Sequence, residues 1–181
     1  MVLGSIPGCV EIKVCVDPGT LATGWCIVEA MPGGPLRPHA HGVIRTRAAD
    51  PLWDRLALIH AEILAVAQAH RPSALALEQC FVGKNIQSAL KLGHTRGAVM
   101  VAAKTVGADV FEYAPSQVKS AVTGSGRAEK HQVAEMVRIL LGLPKTAPAD
   151  ASDAMAVAIC HINGSTQRIL AHAVVTAGAR R

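Results

Sequence analysis

A chain of 181 residues, half of them hydrophobic, is long enough to bury one core, and an aromatic share of only 3% leaves Ala, Val, Leu and Ile to fill it. No run approaches the roughly 18 uninterrupted apolar residues of a membrane span, and the opening MVLGSIPGCVEIK has no charged region ahead of an apolar block, which makes it a poor signal peptide, so a cytoplasmic protein is expected. Lys and Arg outnumber Asp and Glu by 18 to 13, a net charge of +5 that points to an anionic partner.

In chain order, residues 1–11 read as a leader and 12–163 as one domain. The apolar run 12–17 ends at Pro18-Gly19, which sets Asp17 at the end of a strand. Residues 24–30 and 38–46 continue as two further strands, spaced closely enough for an antiparallel meander. Residues 52–70 predict a helix, with Leu56, Ile59, Ile63 and Val66 on one face, stopped by Arg71-Pro72. The run 74–78 (ALALE) is a short buried strand closed by Glu78. A second helix is expected over 86–104, where Leu90, Gly93, Gly97 and Val101 share a face; glycines there cost helix propensity and suit close approach of another backbone. Residues 108–113 form a fifth strand, Pro115 opens a short helix to about Val122, and 128–142 and 148–162 are helical. Residues 164–181 are expected to be a basic, disordered tail. This order predicts an α/β fold, a five-stranded mixed sheet with helices on both faces. Cys9, Cys15, Cys26, Cys80 and Cys160 are odd in number and form no CxxC pair, so buried reduced thiols are expected.

Four carboxylates carry the chemistry. Asp17 and Glu78 each close an apolar strand, and Asp150 and Asp153, three residues apart, share a helix face in its first turn. Each alone has an ordinary structural explanation. Brought together they would repel one another strongly. Two Mg²⁺ ions, which want hard oxygen ligands, would resolve that conflict and serve an in-line phosphoryl displacement. No Ser/His/Asp or Cys/His set is evident. Between Lys84 and His131 basic residues dominate, and Lys84, Lys91 and Arg96 are candidates for gripping a nucleic-acid backbone.

The stretches DPGTLATGW (17–25), LEQCFVGKNIQSALKLGHTRG (77–97), EYAPSQVKSAVTGSGRAEKHQV (112–133) and ADASDAMAVAICH (149–161) resemble the RuvC-type Holliday junction resolvases, in order, from about residue 12 to 163. The resemblance implies an RNase H-like fold and a homodimer that resolves four-way DNA junctions in homologous recombination and DNA repair. It implies paired symmetric nicks that depend on Mg²⁺, two ions per site, with Mn²⁺ able to substitute, and the branch-migration proteins RuvA and RuvB as partners. By motif position Asp17, Glu78, Asp150 and Asp153 match the family's metal-binding catalytic acids. Phe81 matches the aromatic that stacks on bases of the opened junction, a contact that suits unstacked bases of any sequence. Lys119 and Lys130 match lysines important for cleavage and DNA contact. The 86–104 helix is a candidate dimer interface, although packing on its own sheet explains its glycines equally well. Cys26 stands where the family has glycine after the aromatic of its TG-(Y/W)-G segment.

Three other readings compete. Actin-like and sugar-kinase ATPases share a D-x-G-T phosphate loop like Asp17-Pro18-Gly19-Thr20, but need two such domains. A different RNase H-like nuclease would not need the EQ-x-F and AEK matches. A junction binder without activity would have no reason to keep four mutually repelling acids.

Overall fold

The computed structural model describes residues 11–30, 36–79 and 85–178. Its elements run β1 (Glu11–Asp17), β2 (Ala22–Ala30), β3 (Arg37–Arg45), α1 (Leu52–His70), β4 (Ala74–Glu78), α2 (Ile86–Thr105), β5 (Asp109–Tyr113), α3 (Pro115–Thr123), α4 (Lys130–Leu140) and α5 (Ala149–Gly178). The strands form one sheet in the order β3-β2-β1-β4-β5. β1, β2 and β3 pair antiparallel, whereas β1 with β4 and β4 with β5 pair parallel. The expected mixed sheet is therefore present, its parallel half linked through the crossover helices α1 and α2.

The period of two along each strand divides the core. Val14, Val16, Leu75 and Leu77 face one side and pack with Ile59 and Ile63 of α1 and Val99, Ala102 and Ala103 of α2. Cys15, Cys26, Val28 and Ala76 face the other, under α5 and the smaller helices α3 and α4. Small side chains on α5, among them Ala151, Ala154 and Ala158, are fully buried and let that helix lie close on the sheet. Cys15 and Cys26 stand opposite each other across β1 and β2. They and Cys160 are free buried thiols, and burial pushes Cys26 well above the usual thiol range and Cys160 up to about 11. Cys26, the departure from the family's glycine, thus fills space beneath α5. Cys9 and Cys80 lie outside the described residues.

Pro38 sits in β3, which is the sheet's outer strand, where a missing N–H costs no ladder bond; the register slips beside it, between Ile27 and Val28. The last helix differs from expectation. It continues past Asn163-Gly164 to Gly178, so the backbone of 164–178 is helical and not a disordered tail. A single interior glycine costs about 1 kcal/mol against alanine, too little to end a long helix whose flanking residues favour it.

Candidate active site

The sheet's alternation aims the first two acids. Asp17 follows Cys15 at a spacing of two, and Glu78 follows Ala76, so both carboxylates face the α5 side. The parallel register pairs Val16 with Leu77, so Asp17 and Glu78 come one residue later on adjacent central strands. Thr23 locks the turn beyond Asp17, its Oγ1 donating to Gly19 O at 2.7 Å. Arg55 of α1 holds the next carbonyl, donating to Thr20 O from Nε at 3.1 Å and from Nη2 at 2.7 Å.

The other two acids arrive on the first turn of α5, which begins beside β2. Gly24 makes that approach possible. It pairs with Asp17 across the β1–β2 ladder, and a Cβ built on it would lie 1.9 Å from the Asp150 carbonyl oxygen. No residue with a side chain allows the helix to start so close to Asp17.

The electrostatics reflect the crowding. Asp17 is raised from 3.8 to about 7, first by burial and then by Asp153, Glu78 and Asp150, with Lys130 opposing them. Burial followed by the Asp153 charge also raises Glu78, while Lys119, Lys130 and Arg96 pull it back. Lys130, the first residue of α4, places Nζ 2.7 Å from Asp153 Oδ2, and that hydrogen bond holds its ammonium above the ordinary lysine range. Glu78, Lys119, Lys130 and Asp153 line one cavity of about 220 Å³, walled by Pro115 and Val118 of α3.

Among the described residues no three His, Cys, Asp or Glu side chains converge closely enough to hold a metal as they stand. The donor set nonetheless fits a hard divalent cation. Asp17 is driven to about 7 by burial and then by the charges of Asp153, Glu78 and Asp150, and a lysine ammonium lies against Asp153. A cation added there relieves the repulsion that Lys130 offsets only in part.

The structure thus brings together Asp17, Glu78, Asp150, Asp153, Lys119 and Lys130. Lys91 is exposed on α2. Phe81 and Lys84 lie outside the described residues. Arg96 corrects the expectation of a DNA-backbone contact. It shares the inward face of α2 with Val99 and Ala103, its side chain is only 10% exposed, and it bonds the Glu78 carbonyl and the Glu112 carboxylate. Charge and context could not distinguish an inward arginine from an outward one. Nothing local in the sequence marks Gly24 and Arg55 as supports of the site, apart from the short spacing from Asp17 to Gly24.

Comparison with known proteins agrees with this geometry. The family model described as crossover junction endodeoxyribonuclease RuvC matches residues 13–161. A protein of that description from Trichlorobacter lovleyi is 47% identical over 165 residues, 91% of this chain and 92% of its own. Another, from Magnetococcus marinus, is 45% identical over 148 residues, 82% of each chain. The solved structure of Thermus thermophilus RuvC in complex with Holliday junction substrate superposes with a TM-score of 0.82 at 36% identity, covering 87% of this chain and 96% of that one. The yeast mitochondrial Holliday junction resolvase Ydc2, at 10% identity and a TM-score of 0.64, shares the fold. With a family match across nearly all of the sheet and helices that build the acidic site, this chain belongs to the RuvC family of crossover junction endodeoxyribonucleases, which have an RNase H-like fold.

Proposed function

We propose that Asp17, Glu78, Asp150 and Asp153 hold two divalent ions, Mg²⁺ with Mn²⁺ as a substitute, and that the protein resolves four-way DNA junctions by paired, symmetric nicks. The observation that carries this reading is the gathering of four carboxylates at one end of the sheet around Asp17. When bound, the metals supply Lewis acidity, activating the attacking water and carrying charge on the departing 3′ oxygen. The chain's own residues orient and neutralise. Asp17 and Glu78 are fixed by the central strands, so they define the position of the scissile phosphate, and the α5 acids close the site from above. Lys119 and Lys130 present ammonium groups from the cavity wall to the phosphate backbone, and Lys91 extends the basic surface. Phe81 and Lys84, next to Glu78 in sequence, are assigned to stacking on opened bases and to backbone contact. Binding of this kind weakens as salt rises. Residues 12–163 make up the nuclease unit, and the expected setting is the cytoplasm, with RuvA and RuvB as partners; among the described residues no helix is long and apolar enough to cross a membrane. In the direct test, a synthetic four-way junction with Mg²⁺ should yield two nicked duplexes. Equal cutting of a linear duplex of the same sequence would sink the proposal.

Lys130 gives a prediction with two opposite signs. Lys130→Met should slow cleavage at saturating metal by about a hundredfold, the usual loss when one charged donor is taken from a transition state. It should also tighten divalent-metal binding, because no ammonium then competes for Asp153. Metal titrations of both proteins check this, and weaker metal binding in the variant would contradict it.

The homodimer belongs to the same proposal, and α2 is its interface. Ile86, Leu90 and Val101 are 67%, 60% and 58% exposed on that helix. Among the described residues, a Cβ on Gly93 or Gly97 would meet nothing within 4 Å, which speaks against packing on the chain's own sheet as the reason for these glycines. Two copies of the stripe crossing on a two-fold axis would bury it and set two identical sites before a junction of like symmetry. Gly97→Arg should sediment as a monomer at concentrations where the wild type is dimeric, with an unchanged circular dichroism spectrum. A persistent dimer would place the interface elsewhere.

A further inference from the structure

Arg96 is neither one of the four acids nor part of the cavity lining, yet it is one of few charged side chains buried in the described structure. An arginine held inside a protein needs partners for its fork of donors, or the desolvation cost is not met. Its partners here are specific. One terminal nitrogen donates to the backbone carbonyl of Glu78, and the other to the carboxylate of Glu112 on β5. Glu112 pairs with Leu77 in the parallel ladder, and Glu78 pairs with Tyr113. On the far side of the same peptide unit, Gln79 N–H donates to Tyr113 O at 2.8 Å. The peptide linking Glu78 to Gln79 is therefore held at both its polar atoms, by Arg96 on the oxygen and by β5 on the nitrogen.

That peptide lies at the end of β4. Glu78 is the final residue of β4, so the ladder alone leaves its carbonyl without the support an interior strand residue enjoys. The side chain that leaves this Cα lines the cavity with Asp153 and Lys130. Rotation of the peptide would swing the carboxylate out of register with Asp17 on the neighbouring strand. Lysine at position 96 could not do the same work, since one ammonium on a flexible stem does not bridge a carbonyl and a carboxylate with fixed geometry.

We propose that Arg96 is a positioning residue for metal binding: by clamping the Glu78 carbonyl against Glu112, it fixes the direction in which the Glu78 carboxylate enters the acidic site. This rests on the reading that Glu78 is a metal ligand. Outer partners of ligating groups commonly contribute 10- to 100-fold in metal affinity, and Arg96 occupies such a position through the backbone.

The test measures Mn²⁺ binding to the full-length protein by electron paramagnetic resonance of the free ion, alongside thermal melting and junction cleavage. Arg96→Gln should weaken Mn²⁺ binding at least about tenfold, and Arg96→Lys should be weakened too. Glu112→Gln keeps the bond to the Glu78 carbonyl and should retain near wild-type affinity even where its melting temperature falls. If Arg96→Gln does not fold with Glu112 left unpaired, the double variant Arg96→Gln/Glu112→Gln leaves no stranded charge and should fold with the same loss of affinity. Wild-type Mn²⁺ affinity in the folded Arg96 variants, or an equal loss in Glu112→Gln, overturns the proposal and makes Arg96 a stability element. Glu78→Gln separates the two levels: if it binds Mn²⁺ as the wild type does, the reading of Glu78 as a ligand has failed, whatever Arg96 does.

Discussion

Asp17→Asn should bind a four-way junction as the wild type does, fail to cut it, and yet be the more stable protein without metal. The cleavage loss should be at least about a thousandfold, since on the proposed two-metal reading removing a ligand forfeits several kcal/mol of charge stabilisation and each 1.4 kcal/mol is tenfold. The gain in stability follows from the raised pKa. Asp17 goes from 3.8 to about 7 in the folded protein, chiefly through burial and then Asp153. The folded state thus holds the Asp17 proton more tightly than the unfolded state. Below about pH 4 the group is protonated in both and has no effect. As pH climbs toward 7 the unfolded chain ionises while the folded chain resists, so the wild type loses stability, and above 7 the full penalty applies. A shift of this size caps the effect at about 4 kcal/mol. Asparagine carries no such penalty. Thermal melts in chelator should give equal stabilities for the two proteins near pH 4 and a more stable variant at pH 8. Adding Mg²⁺ at pH 8 should raise the wild type's melting temperature far more than the variant's. A variant that is less stable than wild type at pH 8 in chelator would mean that burial and the neighbouring acids do not hold the Asp17 carboxyl up.

The second large effect is expected at a residue with no functional group at all. Gly24→Ala would put a methyl 1.9 Å from the Asp150 carbonyl oxygen, 2.3 Å from its carbon and 2.9 Å from the Ala151 nitrogen. All three are backbone atoms, so no side-chain rotation relieves the clash, and α5 must back away from β2. Overpacking of this kind costs about 1–3 kcal/mol, and a rigid backbone partner puts the cost at the upper end. For a chain of this size about 3 kcal/mol corresponds to a melting temperature lower by roughly 6–12 °C. The displaced helix carries Asp150 and Asp153, and a misplacement of about 1 Å in a reacting constellation can cost a hundredfold in rate. Cleavage should therefore fall about a hundredfold even at temperatures where the variant is fully folded, with metal affinity falling in parallel. Melting and cleavage both at wild-type values would show that α5 does not lie against Gly24.

Much of this architecture is legible in the chain. Apolar runs ending at Asp17 and Glu78 mark both as strand-end acids, and the pairing of Val16 with Leu77 then sets them on one face. Asp150 and Asp153 follow the helix period in the same way. What local patterns cannot carry is how elements are rotated and pressed together. Arg96 sits on α2, whose two faces are similarly apolar: Val99 and Ala103 point in, Leu90 and Val101 point out. Nothing in the spacing tells which face receives the arginine, and its partner Glu112 is sixteen residues away. The length of α5 escapes local reading for a related reason, because Asn163-Gly164 is a stop signal only if the surrounding residues do not outweigh it. Gly24 reads as an ordinary strand glycine until α5 is laid on β2. The glycines of α2 are open to two explanations in sequence; among the described residues a Cβ on either would touch nothing, which supports the proposed interface.

The central claim, that the four carboxylates act as one metal site, is tested most directly by counting ions. Mn²⁺ binding should be followed by electron paramagnetic resonance at pH 8, with the protein bound to a four-way junction made uncleavable at the crossover. The account predicts two ions per active site for the wild type and a loss of at least one for Asp17→Asn. The same number bound with the same affinity by both proteins would contradict it.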